Sequence, residues 1–172
     1  MRIVVLTSPA GCFFFMAAWW HSDARLSTGL FRRVIVVLPF SAVLISADQI
    51  LAHLVGDYLI QSDWAATEKT KRSLAAAVHA ITYGLPFLFF RPSIAAFAFI
   101  AVTHFVIDRW RLARYVVFAK NFLAPRPSWP EWSRCSATGY DKDRPPFLAF
   151  WLLIIGDNAM HLILNGIALK WL

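Results

Sequence analysis

Cysteine and charge are both scarce in this chain of 172 residues. It has two cysteines, Cys12 and Cys135, with no CxxC pair and no Cys/His zinc spacing, which argues against a cysteine metal site and a disulfide framework. Charged residues make up 16% and hydrophobic residues 59% of the sequence, whereas ordinary soluble domains have about 25% and about 50%. The mean hydropathy is +0.56. The composition therefore indicates an integral membrane protein.

Acidic residues are fewer than basic ones, 10 against 17, and the net charge is +7. In a soluble protein this excess would suggest a nucleic-acid partner, but no base-stacking or groove-reading module is visible. The basic residues lie between apolar runs, as they do in membrane proteins whose positive loops face the cytoplasm. The aromatic content of 16%, with eight Trp, suits a protein with two membrane interfaces. We therefore expect the lipid bilayer and anionic lipid headgroups as partners, and no nucleic acid.

Four long apolar runs predict an all-α membrane bundle with four core transmembrane helices. The second and third runs are separated only by Arg91 and Pro92, which predicts an antiparallel helical hairpin. Pro145 and Pro146 precede the last run, as prolines often do at the first turn of a helix. The predicted spans are residues 34–61, 74–90, 93–107 and 147–172.

The first 33 residues are harder to assign. Their apolar run contains Pro9 and Gly11 and follows the single charge of Arg2, which resembles a weak signal-peptide start. Three interpretations stay open: a fifth, short membrane helix, an uncleaved anchor, or an extension outside the functional core. We therefore divide the chain into an N-terminal extension or extra membrane segment, 1–33, and a helical membrane domain, 34–172.

Two connecting segments, 62–73 and 109–146, carry most of the basic residues. They lie on the same side if the second and third spans each cross once, and that side is expected to be cytoplasmic. Residues 108–120 mix basic and aromatic side chains, as in a helix that lies at the headgroup level. The arginines that precede the first span would then lie on the opposite side, so the N-terminal topology stays open.

Ionisable groups recur inside the predicted spans. Three of the four spans contain, or end at, a histidine and an aspartate four residues apart, and the remaining span adds a single histidine. The four-residue spacing places both side chains of a pair on one helical face. Such groups are costly to bury unless they have partners, so we expect one pocket that opens toward the cytoplasm. The candidate residues are His53, Asp57, His79, His104, Asp108, Asp157 and His161.

Imidazoles and carboxylates of this kind suit a divalent metal such as zinc, manganese or iron. Seven groups exceed the needs of one ion, so either some of them orient the ligands or two ions are bound. The first hypothesis is a metal-dependent membrane hydrolase that acts on a lipid or other anionic ester, with Asp57, Asp108 and Asp157 as catalytic carboxylates. The alternative is a non-enzymatic protein, in which the same groups form an ion or proton path, bind a partner or hold the helices together.

Some polar residues near the spans have less specific interpretations. Asp48 is out of phase with the stripe that carries the first His/Asp pair, so we expect a lone polar contact. Gln61, Asp63 and Lys69 lie at the boundary of the first span. For them, a solvated helix end and a place at the mouth of the pocket both stay open.

Aromatic and arginine side chains near the pocket have similar alternatives. Tyr83 and Trp64 are interpreted as packing or interface residues. Arg109, Arg111 and Arg114 form a basic stripe, which is interpreted as a lipid-headgroup anchor. At the rim of a pocket, the same stripe would recruit an anionic substrate.

Four strings of the sequence, taken in order, resemble a family of small bacterial and phage-borne integral membrane proteins that is defined as a domain of unknown function. The strings are LAHLVGDYLIQSDWAATEK from Leu51, HAITY from His79, THFVIDRWRLARY from Thr103 and GDNAMHLILN from Gly156. The resemblance begins at about Leu44 and implies a compact helical domain, expected in the bacterial inner membrane as a multi-pass protein. More distantly, the chain is similar to the YdjM-like membrane-bound metal-dependent hydrolases, which implies hydrolysis.

Overall fold

The structure is a computed structural model that describes residues 44–172. The predictions for residues 1–33, and for residues 34–43 of the first span, lie outside the described residues. The described part is all-α, as predicted. Its seven α-helices are α1 (Ala47–Leu54), α2 (Asp63–Glu68), α3 (Ser73–Gly84), α4 (Ile94–Trp110), α5 (Ala113–Lys120), α6 (Trp132–Cys135) and α7 (Pro146–Trp171).

Among the described residues, α1 begins at Ala47, inside the first predicted span. Ser46 is the N-cap of α1, and its hydroxyl accepts a hydrogen bond from the backbone N–H of Gln49 at 3.1 Å. Because such a cap sets the first turn of a helix, the prediction of one continuous span over 34–61 is wrong. α1 has eight residues and continues into a π-helical stretch, Val55–Leu59, of five. Together they reach about 20 Å, which is too short to cross a hydrocarbon core of about 30 Å.

α3 and α4 form the predicted hairpin and pack against each other. α3 runs into a 3-10 turn, Leu85–Phe90, and the chain reverses at Arg91, whose φ of 50° lies in the left-handed region. Ser93 then caps α4 by accepting a hydrogen bond from the backbone N–H of Ala96 at 3.0 Å. The short connection and the cap together confirm the antiparallel pair.

The far end of α4 joins the two basic segments. α4 ends at Trp110 rather than at residue 107, so Asp108 lies in its last turn. The guanidinium of Arg109 donates to the carbonyl of Thr70 at 2.8 Å and to the hydroxyl of Ser73 at 3.3 Å. These hydrogen bonds hold the segment before α3 against the end of α4, which confirms that the two basic segments lie at the same end of the bundle.

α5 and the loop after it cover this same end. α5 packs against α7 through a face that buries Ala113 and Val117, in agreement with the amphipathic pattern. The segment 121–146 contains α6 and two short 3-10 turns. Within it, Arg134 pairs with Asp141 at 2.7 Å. The hydrogen bonds from Arg134 lower the pKa of Asp141 to about 2, so the pair persists at mildly acidic pH.

α7 is the longest helix, with 26 residues. It packs against α1, α4 and α5, but only 11% of its most apolar stretch is buried. Large apolar side chains such as Phe150, Trp151 and Ile155 are exposed. A core helix of a water-soluble domain would bury such side chains.

Two helical stretches of the described residues, Ser73–Phe90 and Pro146–Trp171, are long and apolar enough to cross a membrane. The sequence predicted four. α4 has 17 residues, and α1 with its π-helical continuation has fewer. Two of the four predicted spans are therefore long enough to cross a membrane by themselves.

The centre of the bundle combines small residues with a few large ones. Ala52, Ala96 and Ala168 are buried together with Tyr83, which allows the helices to approach closely. At Gly56 the approach is tighter, because a Cβ there would lie 2.8 Å from both the ring and the carbonyl oxygen of Tyr83. The polar side chains described below therefore lie on closely packed helices.

This contact generates a prediction about stability. We expect Gly56→Ala to destabilise the folded protein by about 1–3 kcal/mol, because the added methyl group overpacks against Tyr83. Thermal unfolding followed by circular dichroism in a neutral detergent measures the effect. Gly156→Ala is the matched control, since its Cβ would meet only Val117 at 3.5 Å and alanine favours the helix. Equal unfolding temperatures for the two variants would contradict the tight contact at Gly56.

Candidate metal centre

Imidazole and carboxylate groups from four helical stretches meet in one region of the bundle. They come from α1 with its π-helical continuation, α3, α4 and α7. Six of them are 7% exposed or less, and the side chain of Asp157 is 29% exposed. The structure therefore brings the seven side chains singled out from the sequence close together. The six buried ones are His53, Asp57, His79, His104, Asp108 and His161.

Four of these side chains form what we call the inner group: Asp57, His79, His104 and Asp108. His79 Nε2 lies 2.9 Å from His104 Nε2 and 3.1 Å from Asp57 Oδ1. His104 Nε2 lies 3.1 Å from Asp108 Oδ2. Ligand atoms that surround a tetrahedral ion at about 2.0–2.1 Å are about 3.3 Å apart. The separations in the inner group therefore fit the coordination shell of one ion.

Asp108, Asp157 and His161 form a second, outer group. His161 Nε2 lies 3.4 Å from Asp108 Oδ1 and 3.5 Å from Asp157 Oδ2. Asp108 thus belongs to both groups, with Oδ2 at the inner one and Oδ1 at the outer one. A carboxylate shared in this way is suited to bridge two ions about 3.5–4 Å apart. The partial exposure of Asp157 makes the outer group the more accessible of the two.

His53 lies beside the inner group, but its hydrogen bonds go to residues outside that group. Its Nδ1 lies 2.8 Å from the hydroxyl of Tyr83, and its Nε2 lies 3.1 Å from Asn158 Oδ1. The distance from Nε2 to Asp57 Oδ2 is 3.9 Å. Because both ring nitrogens have hydrogen-bond partners, His53 is placed to orient its neighbours. Its role as a direct ligand, which the sequence suggested, would require these hydrogen bonds to break.

Tyr83 lies at the centre of the cluster, although its sequence context suggested only packing. It is fully buried, and its ring stacks on His104 with 3.6 Å between the ring centroids. Its hydroxyl accepts a hydrogen bond from Asn165 Nδ2 at 2.6 Å and contacts His53. The hydroxyl therefore links α1 to α7. The signal in the sequence is the four-residue step from His79 to Tyr83, which places both on one face of α3.

The four-residue stripes continue through uncharged amides that the sequence analysis did not assign to the site. Gln49 precedes His53 by one such step, and its Nε2 donates to the carbonyl of Leu162 at 2.6 Å. Asn165 follows His161 by another and is 1% exposed. Extending each His/Asp stripe by four residues would have found both. These amides satisfy polar groups around the cluster, as buried polar groups require.

Lys69 extends from the end of α2 into the inner group. Its Nζ lies 2.8 Å from Asp108 Oδ2 and 3.8 Å from Asp57 Oδ1, and it donates to Gln61 Oε1 at 2.9 Å. Burial opposes the charge, but the carboxylates of Asp108 and Asp57 outweigh burial and raise the pKa of Lys69. Of the two roles left open for Lys69, the structure supports a place in the pocket.

The other boundary residues lie outside both groups. Asp63 is exposed at the start of α2, and Trp64 beside it is 41% exposed. Asp48 is exposed in the first turn of α1, where a carboxylate interacts favourably with the helix dipole. Asp48 is therefore a residue of the helix end and not part of the cluster.

Three buried ring nitrogens have no hydrogen-bond partner among the described residues: His79 Nδ1, His104 Nδ1 and His161 Nε2. An unpaired buried polar atom is costly, and an ion between Asp108, Asp157 and His161 would give the last of these atoms a partner. The donor set of imidazole nitrogens and carboxylate oxygens fits zinc, manganese or iron. The cluster can thus hold divalent cations, or it can exist as a closed polar network in which Lys69 supplies the positive charge.

All seven side chains lie within the part of the chain that matches a known family. The family model, described as "Protein of unknown function (DUF3307)", matches residues 43–164. No curated protein and no solved structure matches the chain. The matched region is well over half of the chain and begins where the sequence resemblance begins. The chain therefore belongs to DUF3307, a family of proteins of unknown function.

Proposed function

We propose that this protein is an integral membrane protein that binds one or two divalent metal ions and hydrolyses an anionic ester. The observation that carries the proposal is the shared carboxylate of Asp108, which faces His104 with one oxygen and His161 with the other. Two groups of ligand atoms joined by one carboxylate are typical of hydrolytic centres that hold two ions. Zinc, manganese and iron have the ligand preferences that fit these donors.

The exposed apolar surface supports the membrane location. α7 is about 39 Å long, enough to cross the hydrocarbon core, and only 11% of its most apolar stretch is buried. We infer that α1, α3, α4 and α7 together form the membrane core, with α4 crossing where the bilayer is locally thinner. The basic segments 62–73 and 109–146 then face the cytoplasm of a bacterial inner membrane.

In the proposed reaction, the metal ion and the side chains of the protein have separate roles. A divalent ion supplies Lewis acidity and allows water to act as a nucleophile near neutral pH. Asp157 is the best-placed general base, because its side chain is 29% exposed whereas those of Asp57 and Asp108 are 7% and 4% exposed. As the water oxygen bonds to the electrophilic atom of the ester, Asp157 takes a water proton. The bond to the ester oxygen breaks, and the leaving oxygen receives that proton.

One observation favours a second, non-enzymatic function. Lys69 already lies 2.8 Å from Asp108, so the positive charge that the carboxylates need is supplied by the chain itself. In that case the cluster holds the helices together, or it passes protons along its imidazoles and carboxylates. No metal is required for this function.

Metal content separates the two functions. We expect the purified full-length protein to contain one or two equivalents of a divalent metal, measured by elemental analysis after purification in a neutral detergent. His104→Ala and Asp108→Asn should each lose most of it, because they remove inner ligand atoms. Asp48→Asn, which changes an exposed carboxylate of α1, is the matched control and should retain the metal. A wild-type protein that stays metal-free after incubation with zinc, manganese and iron would favour the closed network.

The role of Lys69 gives a second prediction. In the presence of a chelator, Lys69→Met should destabilise the protein by about 3–5 kcal/mol, because buried carboxylates lose their cation. Adding zinc or manganese should restore the unfolding temperature, since a metal ion replaces the lost charge. Lys71→Met is the control, because Lys71 is 65% exposed and pairs only with Glu68 among the described residues. If no divalent metal restores the Lys69 variant, the cluster does not bind metal.

Substitution of the proposed general base, Asp157, tests whether the protein is catalytic. We expect the metal-loaded protein to hydrolyse 4-nitrophenyl phosphate, an anionic ester, with a rate that Asp157→Asn lowers by about 10²–10⁴-fold. Asp63→Asn, an exposed carboxylate outside the cluster, should retain the wild-type rate. Release of 4-nitrophenolate is followed by absorbance, and equal rates for the loaded and the chelated protein would exclude a metal-dependent reaction.

A further inference from the structure

A cavity of about 170 Å³ opens beside the outer group. Asp108 and Asp157 line it, and so do three cationic side chains, Lys69, Arg111 and Arg114. The cavity thus brings three positive charges next to the carboxylates that the proposed centre uses. An anion is attracted to such a site, and a metal ion on the carboxylates would strengthen the attraction.

The rest of the lining is mostly apolar. Ile107, Leu153 and Ile154 contribute hydrocarbon side chains to the wall. Ile154 is 40% exposed, so it belongs to the apolar surface of α7 that we propose to face lipid. The cavity therefore has a charged side and an apolar side, and the apolar side adjoins the proposed lipid-facing surface.

Two of the three cations are held in position and retain free donors. Arg111 donates to the carbonyl of Ala137 at 2.8 Å, and Arg114 donates to the carbonyl of Ser136 at 3.1 Å. A guanidinium has five N–H donors, so both keep donors for an anion. The Nε atom of Arg114 is buried and has no hydrogen-bond partner among the described residues.

The backbone at Arg111 turns the chain at the end of α4. Its φ of 52° lies in the left-handed region at the end of α4, where glycine is the usual residue. An arginine there costs of order 1 kcal/mol, as it does at Arg91, and the turn of the chain places the Arg111 side chain beside the cavity. Arg111 and Arg114 also line a surface groove together with Arg109 and Trp110. The arginines therefore lie between the protein surface and the cluster.

We propose that this cavity binds a lipid phosphate ester, which is the substrate class of the centre. Arg111 and Arg114 hold the phosphate beside Asp157, and the hydrocarbon chain lies against Leu153 and Ile154. The fate of the bound ester rests on the proposed hydrolase function, but its binding does not. A phosphate matches the paired donors of guanidinium groups, and free phosphate would leave the apolar wall uncovered. A lipid enters this site from the bilayer rather than from the cytoplasm.

The test measures binding without metal. The full-length protein, in a neutral detergent with a chelator, is titrated with hexyl phosphate in a calorimeter. We expect saturable binding, which Arg111→Asn and Arg114→Gln each weaken about tenfold or more, because each removes charge-assisted hydrogen bonds. Asparagine tolerates the left-handed conformation, so Arg111→Asn should keep the wild-type unfolding temperature.

Arg91→Asn is the matched control for Arg111→Asn, because it removes the same charge from a residue with the same backbone conformation. Its φ of 50° is close to that of Arg111, and it lies at the turn between α3 and α4, away from the cavity. Arg91→Asn should therefore bind hexyl phosphate like the wild type. Inorganic phosphate should bind at least about tenfold more weakly than hexyl phosphate, since it buries no methylene groups, and hexanol should show no saturable binding.

Several outcomes would overturn the proposal. Hexyl phosphate affinity that is unchanged in both arginine variants would place the anion elsewhere. Equal affinities for inorganic and hexyl phosphate would show a site for free anions, and equal affinities for hexanol and hexyl phosphate would show an apolar site. If the protein binds hexyl phosphate but never metal, the hydrolase function fails while the lipid phosphate site stands. If it binds metal but no hexyl phosphate, the centre acts on another ester.

Discussion

Buried carboxylate charge is the constraint on which the rest of this structure depends. Asp57 and Asp108 are 7% and 6% exposed inside an apolar bundle, where an unpaired carboxylate costs several kcal/mol. They are tolerated because imidazoles of α3 and α4 and the ammonium of Lys69 surround them. A divalent ion would meet the same electrostatic requirement. The proposed functions therefore differ in which cation the carboxylates hold.

The fold meets this requirement by burying a polar cluster beside a small apolar core that includes Phe87 and Ile100. Polar side chains lie in the centre, while large apolar side chains such as Phe89 and Trp151 are exposed. Small residues at the helix contacts bring the backbones close enough for side chains of different helices to meet. Tyr83 then joins the parts, because its ring stacks on one histidine while its hydroxyl bonds to groups from α1 and α7. Polar contacts thus connect α3 to α1 and α7 at the centre of the bundle.

The two groups of the cluster differ in their exposure to solvent. The inner group is almost fully buried, whereas Asp157 in the outer group is partly exposed and lines the cavity with Arg111 and Arg114. A closed polar network accounts for the ion pair between Lys69 and Asp108, but it assigns no role to the cavity. The proposed lipid phosphate site gives a role to the cavity and to the two arginines that line it.

The sequence by itself determined the helical class and the positions of α3, α4 and α7 to within a few residues. It also determined that the two basic segments lie at one end of the bundle and that seven polar side chains share a region. These follow from hydrophobicity and from the 3.6-residue period, which are local properties. The cap at Ser46, which breaks the first predicted span, was hidden inside an apolar run. Only the tertiary structure decided that Lys69 enters the pocket, that Tyr83 is central, and that His53 bonds to Asn158 while His79 faces the carboxylates. His53 has an aspartate four residues later and His79 has none, yet His79 lies closer to the carboxylates, because the packing of one helix against another determines which partner each one meets.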